Sequence, residues 1–329
     1  MASKPSSKSL AWPLFDAIVG RSEFAAVNPW RADGSFVPDY TTLRKLLAVP
    51  LLLGAESRSG VPALALDVWV AYELRRAGLD PDAVWPRAEP PRVVDRDVLA
   101  FVKSIPKAAG RDDLLARLRN GSTAGVGAAS ANIAGKNYFK QVDVIMSSWQ
   151  TGPELLISTK RMDSSFGKNA ANRVEESYGD AKNLALRHPL AALGFVYCLR
   201  STAYTEERRQ FDWIADLLVK LGREADAYDA CALVVPEWEG DTPPEVVPLE
   251  PEDAILDLFD VDVEDVDKEA TVDIESQLAA LPEVTLRTDL VPDELSPARF
   301  FAMMLTIVLD NSNITQHEEA RLRRSRAVG

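Results

Sequence analysis

Histidine is nearly absent from this chain: only His188 and His317 occur in 329 residues. His188 precedes a proline and His317 stands in a charged stretch near the C-terminus, so neither has the setting of a catalytic base or metal ligand. A Ser/His/Asp triad and a histidine-rich metal centre are excluded on that count. Cysteine is as scarce. Cys198 and Cys231 each lie inside an apolar run, which suits reduced, buried thiols rather than a disulfide framework, and two cysteines cannot make a cysteine-only zinc site. Long apolar runs are missing too. None approaches the roughly 20 residues a membrane helix needs, and residues 1–9 are a Ser/Lys stretch without the apolar centre of a signal peptide. A cytoplasmic protein with no membrane partner is expected.

What is present is a composition of 47% hydrophobic and 26% charged residues, that of a globular protein with enough chain for one large domain or two smaller ones. The net charge of -13 argues against a nucleic-acid partner until it is located. Residues 236–295 hold 20 Asp and Glu against only Lys268 and Arg287, a local charge of -18, so the other 269 residues carry +5. Partners must therefore be argued region by region. The acidic stretch, with five prolines before residue 252, reads as an insertion. It could mimic nucleic acid, dock a basic partner or shield the protein's own DNA groove, and a plain solvated loop has the same composition.

Residues 1–110 read as a helical region. Within it 43–53 is strongly apolar, and 63–78 has the basic last turn and glycine stop of a helix. Residues 79–91, with four prolines, read as an extended connector, and 95–105 and 111–118 as two more helices. The Gly/Ala/Ser-rich stretch 120–135 lacks the Gly-Lys-Ser/Thr ending of a phosphate-binding P-loop and reads as small-residue packing. Then the pattern changes. Short apolar runs at 142–146, 154–160, 190–199 and 230–235 predict buried strands, and 168–184 and 206–221 predict helices between them. The expected core, residues 111–235, is α/β (α+β), a mixed central sheet flanked by helices. Residues 296 and 297 cap a last helix running to 309, and 296–329 end in a basic tail.

Two charges sit where strands should not tolerate them. Asp143 lies among Val and Ile, and an unpaired buried carboxylate costs several kcal/mol, so this one is read as serving a cation. Lys160 closes the next strand. By alternation Ser158 and Lys160 share a face with Glu154 and Leu156. Hydrolysing a phosphodiester needs a divalent metal on hard oxygen ligands, a water it makes nucleophilic, and a cation to orient that water or relieve charge on phosphorus. An aspartate, a second carboxylate and a lysine are a minimal set for it.

On Asp143, the triplet Ser158-Thr159-Lys160 and the helix after it, residues 111–235 resemble the PD-(D/E)XK nuclease superfamily, the fold of many restriction endonucleases and repair nucleases. The resemblance implies a restriction-endonuclease-like αβββαβ core, with a metal site formed by Asp143 and by an acidic-x-Lys triplet ending in Lys160. Ser158 departs from that pattern, since the triplet lacks its carboxylate. In a subgroup of restriction endonucleases a glutamate on the following helix takes its place, and Glu175 or Glu176, 15 and 16 residues past Lys160, stands where it is expected. The resemblance therefore implies Mg²⁺ held by Asp143 and Glu175 or Glu176, Lys160 positioning or activating the water, and double-stranded DNA as substrate. It also implies type II restriction-like activity by a homodimer, because two sites are needed to cut both strands. Glu154 is a weaker additional carboxylate. Residues 136–187 hold eight basic and six acidic side chains, and Lys140, Arg161, Lys168, Asn169 and Arg173 are candidates for DNA contact. Ser158 equally suits a non-catalytic DNA-binding or assembly subunit of the same fold in a defence or repair system, and the acidic stretch suits an interaction protein.

Overall fold

Apolar runs long enough for strands and too short for helices pair with one another into one sheet. The computed structural model describes residues 6–119, 127, 128, 131–225, 227–240 and 273–328. In chain order its principal elements are helices α1 (Ser7–Gly20), α2 (Tyr40–Leu52) and α3 (Val61–Arg76), strands β1 (Val84–Trp85), β2 (Val144–Ser148) and β3 (Gly152–Met162), helix α4 (Phe166–Ala185), strand β4 (Ala192–Leu199), helix α5 (Arg208–Leu221), strand β5 (Ala230–Val234) and helix α6 (Pro297–Asn311). The sheet order is β1-β2-β3-β4-β5. β1, β2 and β3 are antiparallel neighbours, whereas β3, β4 and β5 run parallel. Parallel neighbours need a crossover connection, and α4 and α5 supply the two required.

Both faces of the sheet are buried. Val144, Met146, Leu155, Ile157 and Val196 point into a core shared with α1, α2, α3 and α6. Ile145, Leu156, Leu193, Phe195 and Tyr197 point the other way, into a core shared with α4 and α5. The result is a mixed α/β sandwich of three layers, in which β3 and β4 read as nearly continuous apolar runs because neither face meets water.

The N-terminal region is one of those layers rather than a separate domain. The physical reason lies in α3, where 13 of 16 residues are buried: a helix apolar on every side must be covered on every side. The proline-rich stretch 79–91 contributes β1 to the sheet edge, so the core begins well before residue 111. The acidic stretch also divides. Its run 257–269 lies outside the described residues, but Leu278, Leu281 and Leu286 pack on the first core and Leu290 and Val291 on the second, while Thr285–Leu286 pairs with Pro236–Glu237. Part of the small-residue stretch 120–135 likewise lies outside the described residues; its end, Ala131–Ala134, forms a hairpin with Phe139–Val142. Among the described residues no helix is long and apolar enough to cross a membrane.

Sheet and helix approach closely at Gly194, where a Cβ would come within 2.8 Å of the Phe300 ring and 3.0 Å of Met304. Gly194→Ala is expected to destabilise the fold by about 1–3 kcal/mol through overpacking, read from the urea midpoint. Combining it with Phe300→Leu should restore part of that loss.

Candidate active site

Asp143 occupies a bend between the hairpin strand Phe139–Val142 and β2. The bend has a visible cause and consequence. Val142 belongs to the core on the α4 side and Val144 to the core on the α3 side, so the alternation of side chains changes phase across Asp143. That frees its carboxylate from either apolar layer and turns it toward β3, where Oδ2 accepts a hydrogen bond from the Thr159 amide at 2.8 Å.

Thr159 makes a second link. Its hydroxyl donates to Oδ1 of Asp67 at 2.5 Å. Asp67 is buried on the second turn of α3, a helix started by Gly60 in the left-handed region (φ 71) followed by Val61-Pro62. One threonine thus gathers two carboxylates from elements far apart in the chain. Burial, and then the charge of Asp143, push Asp67 well above the usual carboxylate range, against the Thr159 hydroxyl and the charges of Lys160 and Lys8. Burial raises Asp143 as well, opposed by the Thr159 amide and by Lys160 and Lys140. Lys160, at the end of the triplet and half-buried, acts on both acids through space. Among the described residues it makes no direct ion pair. The charge of one buried acid thus resists ionisation of the other, beside a lysine that has no ion pair among the described residues.

The other predicted residues fall in different places. Ser158 is buried on the α4 side, next to the Tyr228 hydroxyl, which has no partner in hydrogen-bond geometry. Glu175 and Glu176 are both exposed. The carboxylate that α4 turns inward is Asp180, buried one turn beyond Glu176, where Oδ2 meets Lys140 Nζ at 2.5 Å and Oδ1 accepts from the Tyr138 hydroxyl at 3.0 Å. Glu154 lies at the far end of β3, 2.7 Å from Nε2 of His317; hydrogen bonds from His317 and Thr151 lower its pKa in spite of burial. Arg161 does not reach the surface. Its side chain is 2% exposed, held by Asp163 at 2.9 Å and packed near Trp238, so it offers nothing to a duplex in this conformation. Lys168, Asn169 and Arg173 occupy the first half of α4, and their side chains lie outside the described residues. Both cysteines are free and buried, and burial pushes the Cys198 thiol up to about 12, which removes it as a nucleophile.

Sequence reasoning missed Asp67 and Asp180, although each carried a signal. Asp67 is the single charge between Ala63 and Tyr72, the feature that singled out Asp143. Asp180 shares the inward stripe of α4 with Ser177, Ala181 and Leu184, all buried.

No family model, curated protein or solved structure matches this chain. Among the described residues no three His, Cys, Asp or Glu side chains converge as ligands of one metal ion. The pair Asp67 and Asp143 nevertheless fits Mg²⁺ by the chemistry of its donors, because this ion commonly takes one or two carboxylates and fills its remaining positions with water and substrate phosphate.

The sign of the Asp67 shift sets a test. A carboxyl whose pKa is raised by folding contributes stability that is present below its unfolded pKa and lost as the pH rises through its folded one. Asp67→Asn keeps an acceptor for Thr159 and removes the buried charge. In metal-free buffer its Tm is therefore expected to exceed that of the wild type at pH 8, with the difference vanishing toward pH 4; a variant less stable at pH 8 counts against the arrangement.

Proposed function

We propose that this protein is a divalent-metal-dependent endonuclease acting on double-stranded DNA, of the restriction-endonuclease-like type. The observation that carries the reading is the pairing of Asp143 and Asp67 through Thr159, with Lys160 next in the chain and without a direct counter-ion among the described residues. Mg²⁺ would be held by the two carboxylates and, when bound, would supply charge neutralisation at the phosphate and a more acidic water. Asp67 and Asp143 fix the place of reaction, since both are anchored to the backbone or side chain of one residue in the sheet. Lys160 orients the attacking water and relieves the negative charge that grows on the phosphate oxygens as the new P–O bond forms and the bond to the leaving oxygen breaks. The sheet supports the same reading in part: β1, β2 and β3 are antiparallel neighbours, α4 crosses over and β4 follows in parallel, with helices Arg96–Ser104 and Arg111–Arg119 inserted between β1 and β2.

DNA is favoured as the substrate by what surrounds the acids. The hairpin that leads into Asp143 presents Lys136, Asn137, Tyr138 and Phe139 to solvent, the two rings 44% and 60% exposed. Exposed rings beside lysines suit the stacking and phosphate contact of nucleic-acid binding. A homodimer is part of the proposal, because a single site cuts a single strand.

Incubating the purified protein with unmethylated phage and plasmid DNA, in Mg²⁺, Mn²⁺ or EDTA, tests this directly. Metal-dependent cleavage is expected, reduced about 10²-fold or more in Asp143→Asn and in Lys160→Met, with DNA binding retained in the lysine variant. Cleavage undiminished in both variants would sink the mechanism; intact DNA under every condition would favour the non-catalytic reading that Ser158 allows.

A further inference from the structure

The hairpin Ala131–Ala134/Phe139–Val142 is a two-stranded antiparallel ribbon that runs straight into Asp143. Its register sorts its side chains between two faces. Ala131 and Val142, directly opposite each other, belong to the core on the α4 side, and Ile133 packs against that core while its partner Lys140 reaches Asp180 on α4. The other two pairs, Asn132 with Gln141 and Ala134 with Phe139, therefore point away from the protein. Asn132, Gln141 and Phe139 are exposed accordingly, and among the described residues no hydrogen bond engages either side-chain amide. The tip is fixed as well. Oδ1 of Asn183 accepts from the amides of Asn137 at 2.8 Å and Tyr138 at 3.4 Å, and Nδ2 donates to the Tyr138 carbonyl at 3.0 Å. The outer face is thus presented on a backbone held from both ends, as an element that reads another molecule requires.

A two-stranded ribbon is one of the elements that fit the major groove of DNA. Directly opposite residues of an antiparallel pair have Cβ atoms about 5 Å apart, close to the step of about 3.4 Å between neighbouring base pairs. Asn and Gln amides pair with N6 and N7 of adenine, and Ala and Phe side chains suit the thymine methyl group. The outer face carries both kinds, two residues apart along each strand, which is roughly 7 Å or about two base-pair steps. Lys136, exposed at the tip, is placed for a phosphate. Asp143 follows Gln141 by two residues, so the same roughly 7 Å is the most that separates the outer face from the acids.

Resting on the endonuclease reading, we propose that the outer face of this ribbon is the base-reading element. Asn132 and Gln141 each select an adenine in the major groove, Ala134 and Phe139 pack on thymine methyl groups, and the strand is cut within about three base pairs of those adenines.

The test selects bound duplexes from a randomised pool with Lys160→Met protein in Mg²⁺, which under that reading binds DNA and cuts it poorly. A site with adjacent A·T pairs is expected. Adding Asn132→Ala or Gln141→Ala, both changes at exposed positions, should relax one of those positions by about ten-fold or more, whereas Lys136→Gln should weaken binding to all duplexes alike. Exchanging the site's adenines for 7-deazaadenine, which lacks the N7 acceptor, should cost the parent protein about ten-fold in affinity and the protein carrying both alanines nothing. Sequenced ends of the wild-type cleavage products should lie within about three base pairs of the adenines. Selection of an unchanged site by both alanine variants, selection of no site, or a cut a full helical turn away would overturn the ribbon as reader and leave the endonuclease reading standing. Failure to bind any duplex, with no metal-dependent cleavage by the wild type, would instead overturn that reading beneath it.

Discussion

Thr159 is the residue on which this architecture turns. Its amide holds Asp143 and its hydroxyl holds Asp67, so one position in the central strand fixes a bend between two strands on one side and a helix on the other. Neither bond is unusual alone. Together they draw two like charges into a place where water is scarce, and a net gain of roughly 1 kcal/mol per hydrogen bond does not offset the mutual penalty of two buried carboxylates unless cations stand nearby. Lys160, Lys140 and Lys8 provide that positive field. A fold under pressure only for stability would place a neutral residue at 67. Under the proposed function, a bound cation would relieve that penalty.

The sheet was legible because hydrophobic patterning is a direct readout of burial. Every predicted strand is a strand of the sheet and the two helices predicted between strands lie there, since an apolar run of five to eleven residues between turns leaves few alternatives. The layers were not legible. Whether a helical region forms its own domain or covers a sheet depends on what its apolar faces meet, and that information lies in residues distant along the chain. The nearly complete burial of α3 was the available clue, because such a helix cannot be the surface of anything.

The candidate site divides in the same way. Asp143 and Lys160 stood out as charges in apolar strands, and the structure brings them near each other. Spacing from Lys160 pointed to Glu175 and Glu176, but spacing along the chain says nothing of helix phase. Phase decides which side chains face the sheet, and the stripe through Ser177, Ala181 and Leu184 selects Asp180. Arg161 misled for a related reason. It neighbours Lys160 in sequence, yet adjacent strand residues point to opposite faces, and its face meets Asp163 and Trp238 instead of solvent.

Ser158 explains why a second acid would come from elsewhere. Its side chain is buried on the α4 side of the sheet beside the Tyr228 hydroxyl. Thr159, one residue on, faces α3. Under the proposed endonuclease reading, Asp67, held by the Thr159 hydroxyl, stands in for the carboxylate that position 158 lacks. What the chemistry requires is oxygen atoms at set positions in space. Under the proposed reading they come from elements that pack against β3, so that the triplet reads as broken in sequence while two acids meet at its central threonine.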